Sequence, residues 1–241
     1  VETNTYLVIN EDTLETVIID PACESQGLID AIEEERLVPR AILLTHGHFD
    51  HILAAEELRE EGWHIEVIDS LCASLGQGLL LYKAVEQKEK GASFAEVRDW
   101  VMANRLNICH VVLADDLYHL MRGGRVSRST AIVGTMLSIK PLIQMNDEGK
   151  LIPTGKAHGR KKGMKALIDM MDRQMGSRRE ENDIFMICHA DCRQDADALA
   201  QMVKDKFGIQ KCLINYIGPV IGSHTGPDTM ALFFLGDARM K

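Results

Sequence analysis

A formal net charge of −9 over 241 residues works against a broad electrostatic footprint on nucleic acid or on an anionic lipid surface, while the length allows one α/β domain or two smaller ones. No apolar run approaches the ~20 residues that span a bilayer, and no basic segment followed by an apolar stretch opens the chain, so a cytoplasmic protein is expected, without an integral membrane segment. The six cysteines (Cys23, Cys72, Cys109, Cys188, Cys192, Cys212) are scattered, none at the paired two-residue spacing of a zinc ribbon or a thioredoxin-like motif, which predicts reduced, mostly buried thiols.

The first elements are two β-branched-rich runs, Tyr6 to Ile9 and Thr16 to Ile19, separated by Asn10-Glu11-Asp12, the pattern of a hairpin. Leu28, Ile29, Ile32 and Leu37 fall near a helical period with Pro39 beyond the end, and Ala41 to Leu44 then reads as a buried strand. Ile52 to Glu61 predicts a helix stopped by Gly62, and His64 to Ile68 a strand. From Gly76 to Asn107 the pattern is helical with a break at Lys90-Gly91-Ala92-Ser93, where Ser93 and Glu96 make a capping box. Val111 to Leu113 reads as a strand, Arg122 to Arg125 as a turn, and Thr130 to Ile139 as an apolar helix. Leu142 to Gln144 and Leu151-Ile152 flank a second hairpin. The remainder alternates: a helix near Lys162 to Met175 with Arg160-Lys161-Lys162 as its solvated start, a strand at Ile184 to Cys188, and a helix near Ala196 to Phe207. A strand at Cys212 to Tyr216, a glycine-rich loop and a strand at Met230 to Leu235 complete it.

Thr45-His46-Gly47-His48-Phe49-Asp50-His51 leaves a strand as a loop that can aim His46, His48, Asp50 and His51 at one point, and neutral imidazoles with a carboxylate suit zinc. A metal there would lower the pKa of bound water to roughly 7 and supply hydroxide to an ester or thioester. With Asn4-Thr5-Tyr6-Leu7-Val8 and Ile18-Ile19-Asp20-Pro21, these residues resemble the front of the metallo-β-lactamase superfamily, nearest to its glyoxalase-II-like hydrolases. That resemblance implies one metal on His46 and His48 and a second on Asp50 and His51. The later histidines and bridging aspartate that finish both sites in that family find no match after Val67.

A second set of motifs runs through the rest of the chain. Val67-Ile68-Asp69-Ser70, Ser74-Leu75-Gly76-Gln77-Gly78, Asp115-Asp116-Leu117, Arg122-Gly123-Gly124-Arg125-Val126-Ser127, Lys140-Pro141, Gly159-Arg160-Lys161-Lys162 and Ile217 to Pro227 follow one another as in DegV-like fatty-acid-binding proteins. The resemblance implies a long-chain fatty acid in an apolar tunnel between two α/β domains, its carboxylate presented to a separate fatty-acid kinase for phospholipid metabolism. Burial of an acyl chain is worth about 0.8 kcal/mol per methylene. Walls could come from the helix carrying Ala131, Ile132, Val133, Met136, Leu137 and Ile139, with Leu79, Leu80 and Leu81, although such a stripe is also the pattern of plain core. At the polar end the glycine-rich loop would present His224 and the Thr225 hydroxyl as donors to an anion. The resemblance puts His224 beside the head group and turns Arg122 and Arg125 towards phosphate transfer or the kinase; Ser70, Ser74 and Gly76 complete the implied lipid site. The Thr-Ser segment and serine-rich loop that hold the carboxylate in the family are missing here, which would make a buried carboxylate costly.

The fold expected from these readings is two-domain mixed α/β. Residues 1–64 form a metallo-β-lactamase-like fragment with a β-hairpin and a βα unit, residues 65–107 complete a hybrid first domain, and residues 108–241 form a DegV-like second domain. The expected function is fatty-acid binding with no catalytic residue. The alternatives are a zinc hydrolase, a fusion with neither activity, or a module that docks a kinase without lipid. An exposed edge left by absent strands would favour a homodimer.

Overall fold

The computed structural model describes residues 4–22, 25–44, 52–60, 66–124 and 139–240, and it divides into two compact units, Val1–Ser70 and Leu71–Lys241.

The first unit opens with the expected hairpin. Tyr6–Ile9 (β1) pairs antiparallel with Glu15–Ile19 (β2), Tyr6 opposite Ile19 and Ile9 opposite Thr16. Asn10 turns the chain, its Oδ1 accepting from the Asp12 N–H at 3.0 Å and the Thr13 N–H at 3.1 Å, as an Asn at the head of a turn does. Helix Ser25–Glu34 (α1) then crosses over so that Val38–Leu43 (β3) lies parallel to β2. Helix Ala55–Glu60 (α2) packs against α1. Ile18, Leu28, Ile29, Ile32, Ile42 and Leu58 make the core on one face of this three-stranded sheet. The strand expected over His64 to Ile68 does not form in its described part, since residues 66–70 join no ladder.

The second unit opens with helices Leu75–Glu89 (α3) and Phe94–Asn104 (α4), separated where expected. The Ser93 side chain accepts from Glu96 N–H while the Glu96 carboxylate accepts from Ser93 N–H at 2.8 Å. Strand Ile108–Leu113 (β4), helix Leu117–Arg122 (α5), strands Ile139–Met145 (β5) and Leu151–His158 (β6) and helix Arg160–Met175 (α6) follow. Then come Ile184–His189 (β7), helix Arg193–Phe207 (α7), Lys211–Tyr216 (β8), helix Pro219–Thr225 (α8) and Met230–Leu235 (β9). The sheet order is β6-β5-β4-β9-β7-β8. β9 is antiparallel to both β4 and β7, and β8 is parallel to β7, so β4, β7 and β8 end at the same edge.

Strand β9 is apolar at every position because both faces are covered. Met230, Leu232 and Phe234 pack with Leu167, Met171, Leu199 and Val203 of α6 and α7. Ala231, Phe233 and Leu235 pack on the other side with Leu79 and Leu80 of α3. Leu79 and Leu80, expected as possible tunnel wall or plain core, are core; Leu81 is exposed. Residue 239 locks the unit from behind: the fully buried Arg239 guanidinium donates to the carbonyls of Leu71 (2.6 Å), Arg105 (2.7 Å) and Asn146 (3.0 Å).

Candidate functional site

Two short helices stand at the edge where β4, β7 and β8 end. Asp116 starts α5 by accepting from the Tyr118 N–H at 2.8 Å, and Gly123 and Gly124 end it. At the second, the segment read as a glycine-rich loop is a helix, with Gly218 as its N-cap, Pro219 in its first turn and Gly226 (φ +83°) closing it. Pro in the first turn supplies helical φ where no intrahelical N–H is needed, which is why this stretch winds despite its glycines.

The two helices interlock through a reciprocal pair of seats. A Cβ at Gly123 would lie 2.6 Å from His224 Nδ1, and a Cβ at Gly226 would lie 2.8 Å from His119 Cγ. Each histidine therefore rests on the other segment's glycine. His119 Nε2–H donates to the Ser223 carbonyl at 3.0 Å and His119 Nδ1 accepts from Arg122 Nη2 at 3.3 Å, a pattern that fixes the Nε2–H tautomer. Arg122 is exposed and His224 half-buried, so a guanidinium and an imidazole stand on neighbouring helices, both able to donate to a carboxylate or phosphate oxygen. Thr225 is buried and its hydroxyl donates to the Ile221 carbonyl at 3.1 Å, within its own helix, leaving the oxygen lone pairs rather than the proton for a ligand.

The start of α3 holds two further expected residues, Ser74 as its N-cap and Gly76 in its first turn. Ser74 hydrogen-bonds the Cys188 thiol, which burial pushes up to about 11 and so keeps protonated and unreactive. Gly76 leaves room for the His110 ring, since a Cβ there would fall 2.1 Å from Nε2. That Nε2 accepts from the Ala73 N–H at 3.1 Å while Nδ1–H donates to the Ile108 carbonyl at 3.0 Å. Ile217, just before α8, packs in the same apolar cluster as Leu75 and Cys188, which ties the start of α3 to the α8 end of the sheet edge.

Arg122, His224 and Thr225 are thus gathered on α5 and α8, with Ser74 and Gly76 on α3. Ser70 ends the first unit. Arg125, His46, His48, Asp50 and His51 lie outside the described residues, as does most of the apolar helix expected from Thr130; Ile139, its last residue, instead starts β5. Among the described residues no group of three or more His, Cys, Asp or Glu could hold a metal. Cys188 and Cys192, four apart, belong to cores on opposite faces of the sheet. Arg160 corrects its reading as solvated: Nε pairs with Asp195 at 2.7 Å and Nη1 donates to the Asp228 carbonyl at 2.5 Å. Sequence reasoning passed over His119; its place three residues before Arg122 signals a shared helix face only once residues 117–122 are known to form a helix. A cleft of about 500 Å³ between α7 and β8, lined by Arg193, Asp197, Lys204 and Cys212, holds none of these residues.

The family model described as "Uncharacterised protein, DegV family" matches residues 46–237. A DegV domain-containing protein of Clostridium perfringens is 44% identical over 190 residues, which cover 78% of this chain and 65% of that protein. A DegV family protein of Eubacterium eligens, solved loaded with heptadecanoic acid, is similar with a TM-score of 0.72 at 20% identity, over 97% of this chain and 91% of its own. The fatty acid kinase (Fak) B3 protein of Streptococcus pneumoniae, solved loaded with linoleic acid, gives a TM-score of 0.75 at 19% identity, over 92% of this chain and 79% of its own. These likenesses correct the expected boundary: the family match begins inside the histidine cluster, not at residue 65, and the fold likeness runs through the first quarter. They lend no support to a separate metallo-β-lactamase fragment or to zinc. No described helix is long and apolar enough to cross a membrane.

Proposed function

Because the chain belongs to the DegV family, we propose that it binds a long-chain fatty acid and presents the acyl carboxylate to a separate fatty-acid kinase. The observation that carries this reading is that proteins sharing its fold hold heptadecanoic and linoleic acid. His224 serves the carboxylate, with Ser74, Gly76 and Thr225 as the other residues of the second unit that the family motifs imply for the head group. Arg122 and Arg125 face the kinase. In the transfer, a carboxylate oxygen attacks the γ-phosphorus of ATP held by the kinase and ADP departs. An exposed guanidinium beside the carboxylate offsets the negative charge gathered on the transferring group. The chain itself breaks no bond.

Native mass spectrometry after incubation with linoleic acid tests this. The expected result is a fatty-acid adduct that disappears on denaturation. Arg122→Ala keeps the adduct but slows acyl-phosphate formation by a bacterial fatty-acid kinase roughly a hundredfold. A bare chain sinks the lipid reading. The same spectrum weighs zinc, and an ion lost on His46→Ala and His48→Ala would revive the metal-hydrolase reading, which rests on the motif alone.

A further inference from the structure

We infer that His119 is a positioning residue that holds the Arg122 guanidinium in place relative to His224. The inference rests on the reading above for what Arg122 does, but not for where Arg122 is held. Four contacts carry it. His119 accepts from Arg122 at Nδ1 and donates to the Ser223 carbonyl at Nε2, so one ring links the working end of α5 to the residue next to His224. The ring sits on Gly226 and the His224 ring on Gly123, so neither helix can slide without the other. An exposed arginine on a short helix otherwise samples many rotamers, and ordering its long side chain costs conformational entropy. A neutral imidazole acceptor at 3.3 Å narrows that freedom before any anion arrives.

The test pairs a spectroscopic readout with a kinetic one. His119→Phe keeps a ring over Gly226 but can neither accept from Arg122 nor donate to Ser223; His119→Gln can do both through Oε1 and Nε2. In ¹⁵N relaxation of the full chain, the Arg122 Nε order parameter is expected to fall in His119→Phe and to recover in His119→Gln. Far-UV circular dichroism checks that both variants fold, and His119→Ala serves in place of His119→Phe if that variant does not. An unchanged order parameter without the imidazole overturns the inference. So does a loss that glutamine fails to recover, because ring packing rather than the two hydrogen bonds would then be responsible. With linoleic acid, ATP, Mg²⁺ and a bacterial fatty-acid kinase, His119→Phe is expected to lower acyl-phosphate formation about tenfold with the lipid adduct intact, and to add nothing on top of Arg122→Ala. Full turnover in Arg122→Ala would sink Arg122's role in presentation, and the order parameter would still decide the positioning.

Discussion

At the scale of single residues, His110 builds a pH dependence into the fold. Burial, then the nearby Arg239 charge, lowers its pKa from 6.5 to about 3. Its Nε2 accepts from the Ala73 N–H, so a protonated ring would set two donors against each other. The unfolded chain binds this proton below about 6.5 and the folded chain only near 3, so below neutrality the unfolded state carries more protons and stability falls as pH falls. The contribution is fully present above pH 6.5 and drains away between 6.5 and about 3, at about 1.4 kcal/mol per pH unit. Urea unfolding at pH 7.0 and 5.0 is expected to give a smaller stability difference for His110→Gln than for the parent chain. Equal differences would assign the acid sensitivity to other groups.

At the scale of elements, what the sequence announced depends on how local the cause is. The box of Ser93 and Glu96 is written in two residues and forms as read; Ser93→Ala is expected to cost about 1 kcal/mol in urea unfolding. A cost near zero would mean that the start of α4 is held by packing instead. The β1–β2 and β5–β6 hairpins, α6, β7, α7 and β9 were equally legible, because each carries its own period or an apolar run of strand length. Helix α8 was not legible. Gly218, Gly222 and Gly226 suggest a loop, and it takes Pro219 in the first turn and the seat under His119 to favour a helix. Over its described residues the strand expected at His64 to Ile68 fails for the opposite reason: alternation is present, but no described strand takes residues 66–68 into a ladder. The proposed site shows the same division. His224 and Arg122 could be picked from motifs, whereas His119 matters through a contact with Ser223, 104 residues away, which no local pattern encodes.

At the scale of the whole molecule, the motifs read as DegV-like did identify the family, and the family match reaches back to His46, further than those motifs alone suggested. The second unit is held at its centre by β9. Asn182 grips the end of that strand, its Oδ1 accepting from the Leu235 N–H at 2.8 Å and its Nδ2 donating to the Leu235 carbonyl at 3.0 Å. Asn182 is 5% exposed, so Asn182→Ala leaves two buried backbone groups without partners and is expected to cost about 2–3 kcal/mol. A lowered urea midpoint with an unchanged slope would bear this out; a changed slope would mean that β9 detaches on its own.

The place of β9 in the sheet also decides when this unit can be finished during synthesis. Strands β4, β5 and β6 can pair among themselves as they leave the ribosome, and so can β7 and β8, but β4 and β7 meet only through residues 230–235. Until those residues emerge, two half-sheets expose apolar edges side by side. The nascent chain is therefore most vulnerable to aggregation before residues 230–235 are out, and a pause in translation ahead of residue 230 would lengthen that exposure.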